Sequence, residues 1–134
     1  MKTAKKNYKQ WHVVKVKVND AEHAHVYFKE REIWWCYCGA NIGMEEDGKG
    51  DQFKRPFLIF KKFNKRLCWA IPLSTQVARG SFFFYLLAES NIIRMAIMPQ
   101  MRMIDSKRLI KKTDIISMTE YGFIKEKITK EFLR

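Results

Sequence analysis

Five short apolar runs, each closed off by a polar or glycine-bearing stretch, constrain this chain most. They occupy residues 31–38, 56–60, 67–73, 81–87 and 92–98. Each is strand length and rich in β-branched or aromatic residues, and none is long enough for a spanning helix of ~20 residues. Residues 81–87 and 92–98 read as a hairpin around Glu89-Ser90-Asn91. Met101 and Met103 alternate with Arg102 and predict a further strand.

Helical signals lie at the two ends. Residues 106–112 are expected to form a short helix beginning near Asp105. Ser117 and Glu120 have the spacing of a capping box, and Tyr121, Ile124, Ile128 and Phe132 follow at helical spacing. Near the N-terminus, Tyr8, Trp11, Val14 and Val18 fit a helical stripe, while Val14, Val16 and Val18 fit a strand equally well. The pattern predicts an α+β, mainly β, domain: a small SH3-like antiparallel barrel with a C-terminal helix.

The 134 residues fit one domain with its own core. Lys and Arg number 26 against 14 Asp and Glu, a net charge of +12 spread along the chain. Such a balance attracts polyanions, so nucleic acid or an acidic protein segment is the expected partner. Cys36, Cys38 and Cys68 are an odd set with no secretory signal before them, which predicts free core thiols in a reducing cytoplasm. No metal motif completes the Cys36/Cys38 pair, and no metal or cofactor is expected. No membrane partner is expected either.

The usual catalytic motifs are missing, and His12, His23 and His25 all lie in the weakly patterned N-terminal segment. Three features stand out instead. A loop from Gly39 to about Lys54 holds four of the six glycines, together with Glu45, Glu46 and Asp47. Arg55-Pro56 opens a buried strand directly after that loop, where a guanidinium is well placed to hold a phosphate with its planar fork. At such a strand mouth an arginine is expected to contribute little to the core. Ser74, Thr75 and Gln76 bring two hydroxyls and an amide to the end of another strand. Each feature alone also reads as a solvated turn, a surface arginine or a cap.

Taken in order, these pieces resemble the MazF/PemK toxin family. The resemblance runs from Glu32-Ile33-Trp34-Trp35, through Asn41-Ile42-Gly43-Met44-Glu45-Glu46-Asp47-Gly48 and Arg55-Pro56, to Ile71-Pro72-Leu73-Ser74-Thr75-Gln76. It ends in Gln100-Met101-Arg102-Met103-Ile104-Asp105-Ser106-Lys107-Arg108-Leu109. It implies a CcdB/MazF-type barrel over residues 30–134, preceded by a helical extension over residues 1–29. It further implies a homodimer that cuts single-stranded RNA, often mRNA, and pairs with a cognate antitoxin, expected to be acidic. The family's essential arginine falls on Arg55, its essential threonine on Ser74 and its loop glutamate on Glu45, which orients Arg55 or accepts a proton. Thr75, Gln76, Lys54, Gln100, Arg102 and Trp34 become candidate RNA contacts. Ser stands for Thr at position 74, Met44 and Glu46 replace the usual Ser and Gln, and Pro99 replaces a polar neighbour of Gln100. Two alternatives stand beside the ribonuclease. One is a CcdB-like gyrase poison. The other is a non-catalytic nucleic-acid-binding barrel in which Trp34, Trp35 and Phe53 stack bases.

Overall fold

The computed structural model describes residues 5–22, 26–76, 80 and 82–133. Helix α1 (Tyr8–Asp20) precedes strands β1 (Glu32–Tyr37), β2 (Lys54–Lys62), β3 (Leu67–Ser74), β4 (Phe83–Leu86), β5 (Arg94–Ile97), β6 (Arg102–Asp105) and β7 (Leu109–Ile115), and helix α2 (Met118–Phe132) ends the chain. Sheet order is β4-β5-β3-β2-β1-β7, every pairing is antiparallel, and β6 also pairs with β3. The fold is therefore mainly β within an α+β plan, as the short runs predict. His23, His25 and Ser81 lie outside the described residues.

The expected barrel is a curled open sheet. Opposite the edge it gives to β2, β3 serves two further partners, giving Leu67–Ala70 to β6 and Leu73–Ser74 to β5. An irregularity between Ile59 and Lys61 bends β2 against it. The two ends of the sheet meet without a ladder. Glu89 N donates to Ile115 O at 3.0 Å, and the buried Asp114 carboxylate accepts from Ser90 N, Ser90 Oγ and Arg94 Nη1.

Alternate residues of the central strands feed two cores. Ile33, Leu58, Ile71 and Leu73 point to the face covered by Tyr121, Ile124 and Ile128 of α2. Trp34, Cys36, Phe57, Ile59, Cys68 and Ala70 point to the other face, with Phe28, Ile104 and Leu109. Burial of both faces explains why β2 and β3 read as continuous apolar runs and not as alternating ones. All three thiols are free and buried.

Three expectations change. The short helix at 106–112 is one 3₁₀ turn, Ser106–Arg108, followed by β7. Asp105 caps that turn by accepting from Lys107 N at 2.8 Å. Beyond it, pairing with β7 satisfies the outer edge of β1, whose N–H and C=O groups would otherwise be unmatched. The capping box is half made. Ser117 Oγ accepts from Glu120 N at 3.0 Å, but the Glu120 carboxylate reaches Leu87 N and Ala88 N, tying α2 to the end of β4. Finally, Arg55 is no peripheral side chain, since only 8% of it is exposed.

At the N-terminus the helical stripe prevails over the strand pattern. Asn7 caps α1 by accepting from Gln10 N, and Trp11 and Val14 pack on Ala40 and Phe53. No helix among the described residues is long and apolar enough to cross a membrane.

Candidate active site

The site is built where the 39–53 loop returns to the sheet. Cys38 N and Gly39 N both donate to Phe53 O, at 2.8 and 3.2 Å, and Gly48 N donates to Gly39 O at 2.8 Å. A side chain at Gly48 would overlap the Phe53 carbonyl, so this crossing requires glycine. Inside the loop, Asn41 Nδ2 donates to Glu46 O at 2.8 Å and Asn41 N to the Asp47 carboxylate at 2.6 Å. Gln100, on the short turn before β6, takes Glu46 N at 2.6 Å and gives to Met44 O at 3.2 Å. A loop that long is thus held open in one shape by its own amides and one glutamine.

That shape fixes Arg55. Pro56 keeps the preceding residue extended, which places Arg55 at the first turn of β2 with Cys36 opposite it on β1. Its Nε donates to Asp47 O at 2.6 Å and its Nη1 to Leu73 O at 3.0 Å, while its Nη2 lies 2.9 Å from Glu46 Oε2. Among the described residues two of the five guanidinium N–H groups are in hydrogen bonds, and Glu46 adds an ion pair. Extending the Phe57↔Pro72 register by two residues puts Ser74 opposite Arg55 on the same face. Ser74 Oγ accepts from Gln76 N at 3.1 Å, which leaves its O–H to donate.

Phe57 and Pro72 line a cleft of about 550 Å³, which is walled by Asn41, Met44, Glu45 and Glu46 on one side and by Pro99, Gln100, Met101 and Arg102 on the other. Arg55, Arg102 and Arg108 surround Cys38 beneath it. Burial pushes the Cys38 thiol up to about 11 even though the three cations pull the other way. Arg108 donates to Tyr37 O at 2.9 Å and to Cys38 O at 3.3 Å, and its guanidinium lies 5.8 Å from the centre of the Trp11 ring. Its burial, and Arg102 nearby, hold its pKa below the ordinary arginine value. A partly buried field of positive charge under a polar cleft favours an anionic ligand. Among the described residues, no three His, Cys, Asp or Glu side chains converge as a metal site would.

Residues 29–132 match the PemK-like, MazF-like toxins of type II toxin–antitoxin systems. The chain belongs to that family. It is the toxin half of such a pair, and its natural partner is an antitoxin. No curated protein matches it.

In this PemK-like toxin Glu45, Gln100 and Arg102 line one cleft, while Arg55 adjoins it through its ion pair with the wall residue Glu46 and Ser74 lies in register with Arg55 on the neighbouring strand. Thr75 and Gln76 are exposed just beyond β3, and Lys54 is half-buried one residue before Arg55. Trp34 is elsewhere. Its ring is 7% exposed in the second core and its Nε1 donates to Glu32, so it offers no face to a base. Phe53 is likewise buried, against Trp11, and only Trp35 of the three proposed stacking aromatics is exposed. The carboxylate paired with Arg55 is that of Glu46. Glu45 instead accepts from Ile42 N at 2.8 Å and stays exposed on the rim. Sequence reading also passed over Asn41 and Arg108. Asn41 sits at the head of the glycine loop, where an amide that satisfies two carbonyls is a common device. Arg108 was hidden by the expected helix.

Proposed function

We propose that this toxin is a metal-independent endoribonuclease that cuts single-stranded RNA, mRNA above all, in the cytoplasm. One observation carries the reading: a buried guanidinium, held on three sides, lies in register with a strand-end hydroxyl and pairs with a carboxylate that walls the cleft. The 2′-hydroxyl attacks its own neighbouring phosphorus in line. The O2′–P bond forms as the P–O5′ bond breaks, leaving a 2′,3′-cyclic phosphate and a 5′-hydroxyl. Negative charge gathers on the non-bridging oxygens, where the Arg55 N–H groups not given to Asp47 and Leu73 act on it together with the Ser74 hydroxyl. Both are fixed before the reaction and stabilise the transition state more than the ground state. Glu46 is committed to Arg55, so rim-exposed Glu45 is the acceptor for the 2′-hydroxyl proton. The leaving oxygen takes its proton from water, because a guanidinium does not give its own up readily. Gln100, Arg102, Lys54, Thr75 and Gln76 line the path of the strand.

The active form is proposed to be a homodimer inhibited by an acidic antitoxin. β4, the residues flanking it and α2 expose Phe82, Tyr85, Leu87, Met118, Phe123 and Phe132, apolar side chains of the kind that a partner surface covers. Light scattering at micromolar concentration is expected to report a dimer, and a monomer there would remove that part of the proposal.

The deciding experiment incubates end-labelled single-stranded RNA with the protein in EDTA and maps the product ends. Cyclic phosphate and 5′-hydroxyl ends are expected. RNA that is bound but uncut would favour the non-catalytic barrel. Gyrase arrest without RNA cleavage would favour the gyrase poison.

A further inference from the structure

The family match begins at residue 29, and α1 lies wholly before it. Besides meeting Lys107 at Asn19 and Arg108 at Trp11, the N-terminal segment makes a set of contacts on the loop that holds Arg55. Lys6 Nζ donates to Asn41 O at 2.7 Å and to Gly43 O at 3.0 Å, and it pairs with the Asp47 carboxylate at 3.0 Å. Tyr8 Oη donates to Asn41 O at 2.9 Å. Trp11 lies on Gly39, where φ is +95° and an added Cβ would come within 2.6 Å of the indole. The loop backbone therefore has no room for a side chain under the ring. The indole also meets Phe53 edge-on, at a centroid separation of 5.7 Å.

These contacts converge on Asp47. Its side chain receives Lys6 and Asn41 N, and its backbone carbonyl receives Arg55 Nε at 2.6 Å. An ammonium with three acceptors on one loop is more than a surface ion pair. It ties the two limbs of the loop, Asn41 and Asp47, to one point, and that point sets where the carbonyl under Arg55 stands. Without Lys6, Asp47 keeps Asn41 N but loses the charge that holds its second oxygen, and the limbs are free to separate.

We infer that the N-terminal helix is a strap on the active-site loop and that Lys6 is a positioning residue, acting on Arg55 through Asp47. The inference rests on the reading of Arg55 as the reacting guanidinium. Lys6 is not among the residues that line the cleft and meets the wall residue Asn41 through its backbone carbonyl, so its effect is expected on rate more than on RNA affinity. A shift of about 1 Å in a catalytic group costs on the order of 10²-fold in rate.

The test compares Lys6→Met, which keeps the stem and removes the charge, with Lys6→Arg, which keeps charge and donors. Two measurements are made on the full chain: single-turnover RNA cleavage in EDTA, and the NMR signal of the Arg55 Nε–H. Lys6→Met is expected to lower the saturating single-turnover rate (kcat here) roughly ten- to a hundredfold with the half-saturating concentration little changed, a range bounded by that misplacement penalty. It is also expected to speed solvent exchange of the Arg55 Nε–H, and Lys6→Arg should restore most of both. A folded Lys6→Met with parental kcat overturns the inference. So does a lower kcat with an unaltered Arg55 Nε–H, which would put Lys6 on the RNA itself. Arg55→Ala, run alongside, separates the two levels. If it cleaves at the parental rate, the reading of the site fails, and the strap is then judged on the Nε–H signal alone.

Discussion

The Glu46 carboxylate lies 2.9 Å from the Arg55 guanidinium, on the wall of a cleft proposed to receive phosphates. A negative charge there repels the ligand and is retained because it aims the fork. Glu46→Gln should therefore divide the two effects. RNA binds more tightly as one repulsive charge leaves, while kcat falls about five- to tenfold, matching the ~1–1.4 kcal/mol lost when a charge-assisted bond becomes neutral. Steady-state cleavage resolves KM from kcat, and a variant with raised KM and parental kcat would reverse the assignment.

Arg55 is both structural and chemical, which sets what its variants do. Arg55→Ala leaves Leu73 O, Asp47 O and Glu46 without their donor, so cleavage disappears and stability falls by about 1–3 kcal/mol. Arg55→Lys keeps the charge and loses the planar fork, and its rate should drop by about 10²–10³. Urea unfolding beside single-turnover cleavage measures both. A folded Arg55→Lys at the parental rate would show that only charge matters at this position.

Ser74 offers a sharper separation, because among the described residues its hydroxyl serves as an acceptor from Gln76 N. Ser74→Ala should lower the single-turnover rate by about 10²–10³, the usual loss of one donor to a developing oxyanion. Ser74→Thr should keep or raise the rate, since the added methyl narrows the hydroxyl to fewer rotamers. An unimpaired Ser74→Ala would transfer the role to Thr75.

How much of this was legible in the residues follows from burial. β1 to β5 announce themselves because their faces are filled by aromatic and branched side chains. β7 does not, because Lys111, Lys112 and Thr113 are all exposed on an outer strand and only Leu109 and Asp114 turn fully inward. Such a segment carries neither the period of a strand nor that of a helix. Trp34 and Trp35 must face opposite ways on one strand, but which way depends on Phe28, Phe57 and Leu109 arriving from elsewhere. Glu45 and Glu46 pose the same difficulty at closer range. The turn that gives Glu45 to Ile42 N and Glu46 to Arg55 is a property of the closed loop, and adjacent identical residues hold no local cue. Arg55 and Ser74 were readable as a pair only through family likeness, since their register comes from the β2–β3 ladder.

The charge of the cleft gives a bulk prediction. Each neutralised phosphate adds about −0.7 to the slope of log affinity against log salt for single strands, so a few contacts give a slope of about −2 to −4. Arg102, Lys54 and Arg55 supply contacts on that scale. Titration of uncleavable RNA at several salt concentrations measures it. A flat response would mean that the cleft does not bind through phosphates.

The last prediction concerns stability and acid. Asp114 closes the gap between the two ends of the sheet, and it pairs with buried Arg94 at 2.8 Å. Burial by itself raises a carboxyl pKa. Here the hydrogen bonds from Ser90, Arg94 and Ile115 outweigh burial and hold Asp114 below the ordinary carboxylate value. A carboxyl depressed in the folded state stabilises the fold above its unfolded pKa of about 3.9, and that contribution is lost as pH falls through the lower folded value. The parent should therefore lose stability steeply below about pH 4, where the unfolded chain takes up the proton first. Asp114→Asn leaves Arg94 buried without its counter-charge and should be destabilised by about 3–5 kcal/mol at pH 7, with a shallower acid limb. Urea unfolding of both proteins at pH 7 and pH 3 gives the comparison. Parallel losses in parent and variant would mean that other carboxylates, and not the seam between β4 and β7, control the acid transition.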